Sequence, residues 1–152
     1  MTLRSLATFE ASFPVDPEYD HPEGCYLARR LEQGLRALGL AVEEFDNWRD
    51  CGWCVPCTIE GTRLWVCFAR YGEDKSWQLF VEPLGLPGPI SRLLGKRRPP
   101  CQTAVRRLAL EVDRMLSNEP FVSAIRWAIN ADPRSGGVPN AAALSWPTDA
   151  GA

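Results

Sequence analysis

The chain has one histidine and two lysines among its 152 residues, and no apolar run approaches the roughly 18 residues that span a membrane. It also lacks a surplus of positive charge. Its 17 basic groups stand against 19 acidic ones, which leaves no general attraction to nucleic acid. The sequence holds no Gly-x-Ser-x-Gly, no glycine-rich phosphate loop and no His-Glu-x-x-His. Residues 1–20 contain Arg4 but no apolar stretch of useful length, so the expectation is a cytoplasmic chain without a leader. The lone His21 sits in an acidic loop ahead of a helical pattern, where a capping role is expected rather than catalysis. Together these absences disfavour a membrane protein, a nucleic-acid binder and the commonest hydrolase designs, and they imply no cofactor.

The size and the 45% hydrophobic content are those of a single domain with a real core. Charge is uneven along the chain. Residues 1–50 carry ten acidic and five basic groups, and residues 51–100 carry four acidic and seven basic. Six cysteines without a secretory signal point to a reducing compartment, with thiols free or bound to metal.

Periodicity predicts the elements. Ala7, Phe9, Ala11 and Phe13 alternate with polar residues in a first strand within 3–14. Leu27, Leu31, Leu35 and Leu38 make one stripe of a helix over 22–38, opened by His21-Pro22 and closed by Gly39. A second strand is expected within 40–48, then a meander of strands at 53–59, 62–69 and 76–83. Residues 84–100 form a Gly/Pro-rich surface connection, and a second helix spans 102–117. In 119–129, Phe121, Ser123, Ile125 and Trp127 alternate as in a strand, while Phe121, Ile125 and Ala128 also fit a helix; a last strand is the preferred expectation, and 131–152 are expected to be a flexible tail after a 1–130 domain. The fold class is α+β: a mainly antiparallel sheet of five or six strands, in the order β-α-β-β-β-β-α-β, with two helices packed on one face.

The stretch Asp50–Cys57, DCGWCVPC, is the only segment that resembles a chemical motif. The Glu60-Gly61 hairpin decides its reading. It places Ile59 opposite Thr62, Cys57 opposite Leu64, Val55 opposite Val66 and Trp53 opposite Phe68, an apolar face. Cys54 then lies on the other face beside Cys67. A four-residue loop at 71–74 extends the apolar face by Phe68–Trp77, Val66–Leu79 and Leu64–Val81. It also predicts Arg63–Glu82, Trp65–Phe80 and Cys67–Gln78 on the far side. In this register Cys51 and Cys57 point inward and Cys54 outward, so the three thiols do not converge on one metal. Cys54 and Cys67 become a cross-strand pair close enough for a disulfide if oxidised. Pro56 cannot donate to a ladder, so its strand is expected at an edge or to carry a bulge.

The far face would carry Trp65 and Phe80 rimmed by Arg63 and Glu82, an arrangement typical of interface anchors. Glu43, Glu44, Asp46, Trp48 and Asp50 form an acidic, aromatic-containing strip that is the other candidate partner-binding surface. The small, acidic, single-domain plan resembles bacterial immunity proteins that neutralise polymorphic or type VI secretion toxins; the resemblance covers these general features, and WRDCGWCVPC, SWQLFVEP and IRWAI are the stretches nearest to it. That resemblance implies a non-catalytic protein whose partner is another protein, a cognate toxin with its active site occluded; it assigns no residue roles. The alternative is a small metal-binding or thiol redox protein using Cys51, Cys54 and Cys57. An enzyme with a site built from scattered residues is a third reading, for which the sequence names no residues.

Overall fold

A computed structural model describes residues 3–72, 74–84 and 102–147. The strands are β1 (Ser5–Ala11), β2 (Ala41–Val42), β3 (Asp46–Trp48), β4 (Gly52–Ile59), β5 (Thr62–Arg70), β6 (Ser76–Pro83) and β7 (Val122–Ile129). Helix α1 covers Cys25–Ala37 and α2 covers Gln102–Ser117. All pairings are antiparallel, in the order β2-β4-β5-β6-β1-β7, with β3 also on β4. The expected α+β plan is the one observed, with both helices on one face of the sheet. The first strand does not stay at a margin. It inserts between β6 and β7, a long-range pairing that makes it central.

On the helix face, Ala7, Phe9, Val55, Cys57, Leu64, Val66, Phe68, Leu79 and Val81 pack against Leu27, Leu31 and Leu35 of α1 and Val105, Leu108, Val112 and Leu116 of α2. The leucine stripe is therefore correct up to Leu35, but Leu38 is 39% exposed. Helix α1 starts later than expected. Gly24 precedes it at φ 99°, and a Cβ there would lie 2.8 Å from the Trp77 ring, so only glycine fits. His21 is exposed and does not cap the helix. The buried Pro22 carbonyl instead accepts the Trp53 indole N–H at 3.0 Å.

The segment 40–48 is a single strand in expectation and two short ones in fact, which brings the sheet to seven strands among the described residues. Pro56 explains the break. Its carbonyl accepts the Glu43 N–H at 2.9 Å, but it has no N–H to return. Between the Glu43–Pro56 contact and the Asp46–Cys54 pair, Glu44 and Phe45 both oppose Val55, which is a bulge. The Phe45 amide leaves the ladder and donates to the Glu32 carboxylate at 2.9 Å. Strand β4 is thus not the edge; the bulge sits on the edge strand facing its proline.

The β4–β5 register is the predicted one, from Gly52–Ala69 to Ile59–Thr62. The β5–β6 register differs by two residues, with Val66 opposite Val81 and Cys67 opposite Phe80. The turn closes one position later than expected, on the Tyr71 N–H to Ser76 carbonyl bond at 3.0 Å. A shift of two keeps every side chain on its face, so the faces survive while the predicted Arg63–Glu82 and Trp65–Phe80 pairs do not.

Residues 131–147, expected as part of a flexible tail, wrap the β7 edge. Pro133 is buried, and Val138 exchanges both backbone hydrogen bonds with Trp127 at 2.8 and 2.9 Å. Buried Asp113 of α2 accepts the Trp127 indole N–H at 2.8 Å and the Ala141 N–H at 3.0 Å. Composition does not reveal this anchor, because it lies on another element. The expected surface connection falls almost wholly outside the described residues.

Candidate functional site

Neither helix covers the far face of the sheet. Strand alternation delivers to it Cys54 from β4, Trp65 and Cys67 from β5, Phe80 and Glu82 from β6, and Leu6 from β1. β3 adds Trp48, opposite Gly52, where a Cβ would strike the Phe68 carbonyl oxygen at 2.0 Å. The result is a second, smaller apolar cluster. Cys54, Cys67 and Phe80 form its floor, with Leu6, Trp48 and Trp65 packed around them.

The floor is not a contact surface as expected: Phe80 is only 8% exposed. Trp48 meets its ring edge-on at 5.2 Å, and the Arg4 guanidinium lies over it at 4.6 Å. Arg4 is held there by Glu82 at 2.7 Å, and Glu82 also accepts the Trp65 indole N–H at 3.1 Å. The half-buried Trp48 and Trp65 are therefore the aromatic groups that reach solvent. Beside them, Arg4, Leu6, Gln78, Glu82, Asn130 and Asp132 border a depression of about 440 Å³. Its far wall is the start of the returning C-terminal segment, which covers the β1–β7 part of this face.

Of the nine residues expected to bind a partner, four (Trp48, Trp65, Phe80 and Glu82) meet in this cluster. Arg63 and Glu43 form a bidentate pair at 2.9 and 3.0 Å on the same face, at its edge. Asp46 lies beside Cys54 and accepts its thiol through the backbone carbonyl at 3.6 Å. Glu44 lies in the bulge and the exposed Asp50 in the β3–β4 turn, where Arg49 and Asp50 take positive φ and the Asn47 side chain accepts the Asp50 N–H. These two are not part of the cluster. Arg4 and Leu6 were missed. Alternation in the first strand marks Leu6 as outward, but only the insertion of β1 beside β6 brings both residues to Phe80.

The cysteines of DCGWCVPC go three ways. Cys57 is in the helix-face core, where burial pushes its thiol pKa up to about 12. Cys54 is on the far face opposite Cys67. Cys51, expected to point inward, is exposed: the β3–β4 turn runs through residue 51, and the thiol bonds the Trp48 carbonyl at 3.4 Å. Among the described residues no three His, Cys, Asp or Glu side chains are grouped to hold a metal ion. Cys25, the first residue of α1, is buried, and burial raises its thiol pKa to about 11.

The charged groups on the helix side are more tightly held. Asp16 is buried and bonded to Arg29 at 2.6 Å. The Arg29 guanidinium, helped by the Tyr19 and Glu18 amides, holds its carboxyl well below the usual range despite the opposing effect of burial. No helix of the described residues is long and apolar enough to cross a membrane. No protein-family model matches the chain, and a search of curated proteins finds no match.

Proposed function

We propose that this chain is a non-catalytic, protein-binding protein of the cytoplasm: an immunity protein that neutralises a cognate bacterial toxin, of the polymorphic or type VI secretion kind, by occluding its active site. The observation that carries the reading is the far face of the sheet. Two half-buried tryptophans stand over a buried floor and inside a ring of Arg4, Glu82, Arg63, Glu43 and Asp46. Large aromatics pinned at the centre of a charged rim supply contact area at little entropic cost, because Trp65 and Trp48 are already held by Glu82 and Phe80. The partner covers the Trp48–Trp65 patch, and Arg63, Glu43 and Asp46 set its register from the rim.

The test is co-expression with the product of the adjacent gene. The expected result is rescue of growth and a complex that co-purifies. A Trp48→Ser/Trp65→Ser variant should weaken the complex more than about tenfold, the size of a hot-spot loss. A neighbour that is neither toxic nor bound, or full affinity in the double variant, removes the reading. The metal-binding alternative loses its basis in geometry, since Cys51, Cys54 and Cys57 occupy a turn, the far face and the core.

A further inference from the structure

We infer that Cys54 and Cys67 are an oxidisable thiol pair, which a peroxide-class oxidant closes into a cross-strand disulfide beneath the tryptophans of the far face. The backbone carries the inference. Cys54 and Cys67 are direct partners in the β4–β5 ladder. Two hydrogen bonds fix the kind of pair. The Pro56 carbonyl points away from β5, to the Glu43 N–H, and the Arg63 carbonyl points away from β4, to the Leu84 N–H. Residues 54, 56 and 58 share one direction and 63, 65 and 67 the other, so Cys54–Cys67 is a non-hydrogen-bonded pair. Such pairs place their Cα atoms about 4.5 Å apart, at the near end of the range a disulfide spans.

The surroundings assign the order of events. Cys54 keeps 5% exposure and Cys67 none. The hydrogen bond from Cys67 lowers the Cys54 thiol pKa, whereas burial first, and then Cys54 itself, raises that of Cys67. Cys54 is therefore the attacking thiolate. It displaces hydroxide from hydrogen peroxide and becomes a sulfenic acid; the hydroxide takes up the proton that Cys54 released. Cys67 then attacks the Cys54 sulfur, and the sulfenic oxygen leaves as water with the Cys67 proton. Overall two thiols and one peroxide give one disulfide and two waters, with two electrons passing from sulfur to oxygen. The other described cysteines lack this arrangement: Cys25 and Cys57 are buried on the helix side, and Cys51 lies in an exposed turn. The pair closes whether or not the face binds a protein.

The experiment uses the full chain carrying Cys51→Ser and Cys101→Ser, titrated with hydrogen peroxide and then digested with trypsin under denaturing, alkylating conditions. Cleavage at Arg63 separates the two sulfurs. The expected result is an intact mass lower by two hydrogens, with a reductant-sensitive link between peptides 50–63 and 64–70 that fragmentation assigns to Cys54 and Cys67. Adding Cys67→Ser should leave a sulfenic acid on Cys54 that dimedone traps. Recovery of both thiols as alkylated cysteine, or a link through Cys25 or Cys57, overturns the inference. The linkage map of the chain with both partners intact decides it even where the Cys67 variant does not fold.

Discussion

The two faces of one sheet are both apolar at the centre, yet they are buried in different ways. On the helix face, Val55, Val66 and Leu79 lose all exposure because α1 and α2 lie across them. On the far face, Cys67 and Phe80 are shielded by side chains of the sheet itself: Trp48, Trp65, Leu6 and the Arg4–Glu82 pair. Cover by a helix closes a core. Among the described residues, cover by two tryptophans and an arginine leaves the rim of the patch open. Alternation in a strand decides which face a residue takes, but what lies over that face decides whether it supports stability or contact.

This contrast is broken most severely from the helix side. Leu31→Ala removes a fully buried side chain from α1 and should cost about 3 kcal/mol, read as a lower denaturation midpoint with unchanged slope. Asp113→Ala should cost about 2 kcal/mol, because it strands the Trp127 indole N–H and the Ala141 amide in a buried site. It should also speed proteolysis within 131–147, which a simple loss of packing at Leu31 would not do selectively. The far face should behave otherwise. Trp65→Ser should cost about 1 kcal/mol or less, because the indole is only partly buried, while removing most of the partner affinity. A loss of stability as large as that of Leu31→Ala would mean that the far face is a second core.

Much of this contrast is legible in the sequence, and the parts that are not share one cause. The β4–β5 register follows from a two-residue turn and an alternating pattern, both local. The β5–β6 register depends on how the turn closes, and the Tyr71–Ser76 bond is a property of the folded loop rather than of its composition. Because that register differs by two residues, Trp65, Cys67 and Phe80 keep the expected face and only their cross-strand neighbours change. Cys51 was misplaced because strand alternation was carried one residue into a turn. Arg4, Leu6 and the Asp113 anchor depend on long-range contacts, from β1 to β6 and from α2 to the C-terminal segment, which no local period encodes.

Two arginine–carboxylate pairs give the finest form of the comparison. Asp16 on the helix side has a side chain only 4% exposed beside Arg29, whereas Glu43 and Arg63 on the far face are 51% and 55% exposed. Asp16 has a folded-state pKa below its unfolded value of about 3.9. Its contribution is therefore fully present above that value and is lost as pH falls through the acid range toward the folded value. Wild type should lose melting temperature below about pH 4, and Asp16→Asn should flatten that slope while starting from a lower melting temperature at pH 7. The far-face pair should contribute less. Arg63→Ala should change stability by less than about 0.5 kcal/mol, and even that should fade in high salt, since both groups are solvated and pay side-chain entropy to meet. What the substitution should alter is the association rate with the partner and its salt dependence. An Arg63→Ala variant that melts several degrees lower would place Arg63 among the groups that hold the sheet together, and the far face would lose its charged rim as a recognition element.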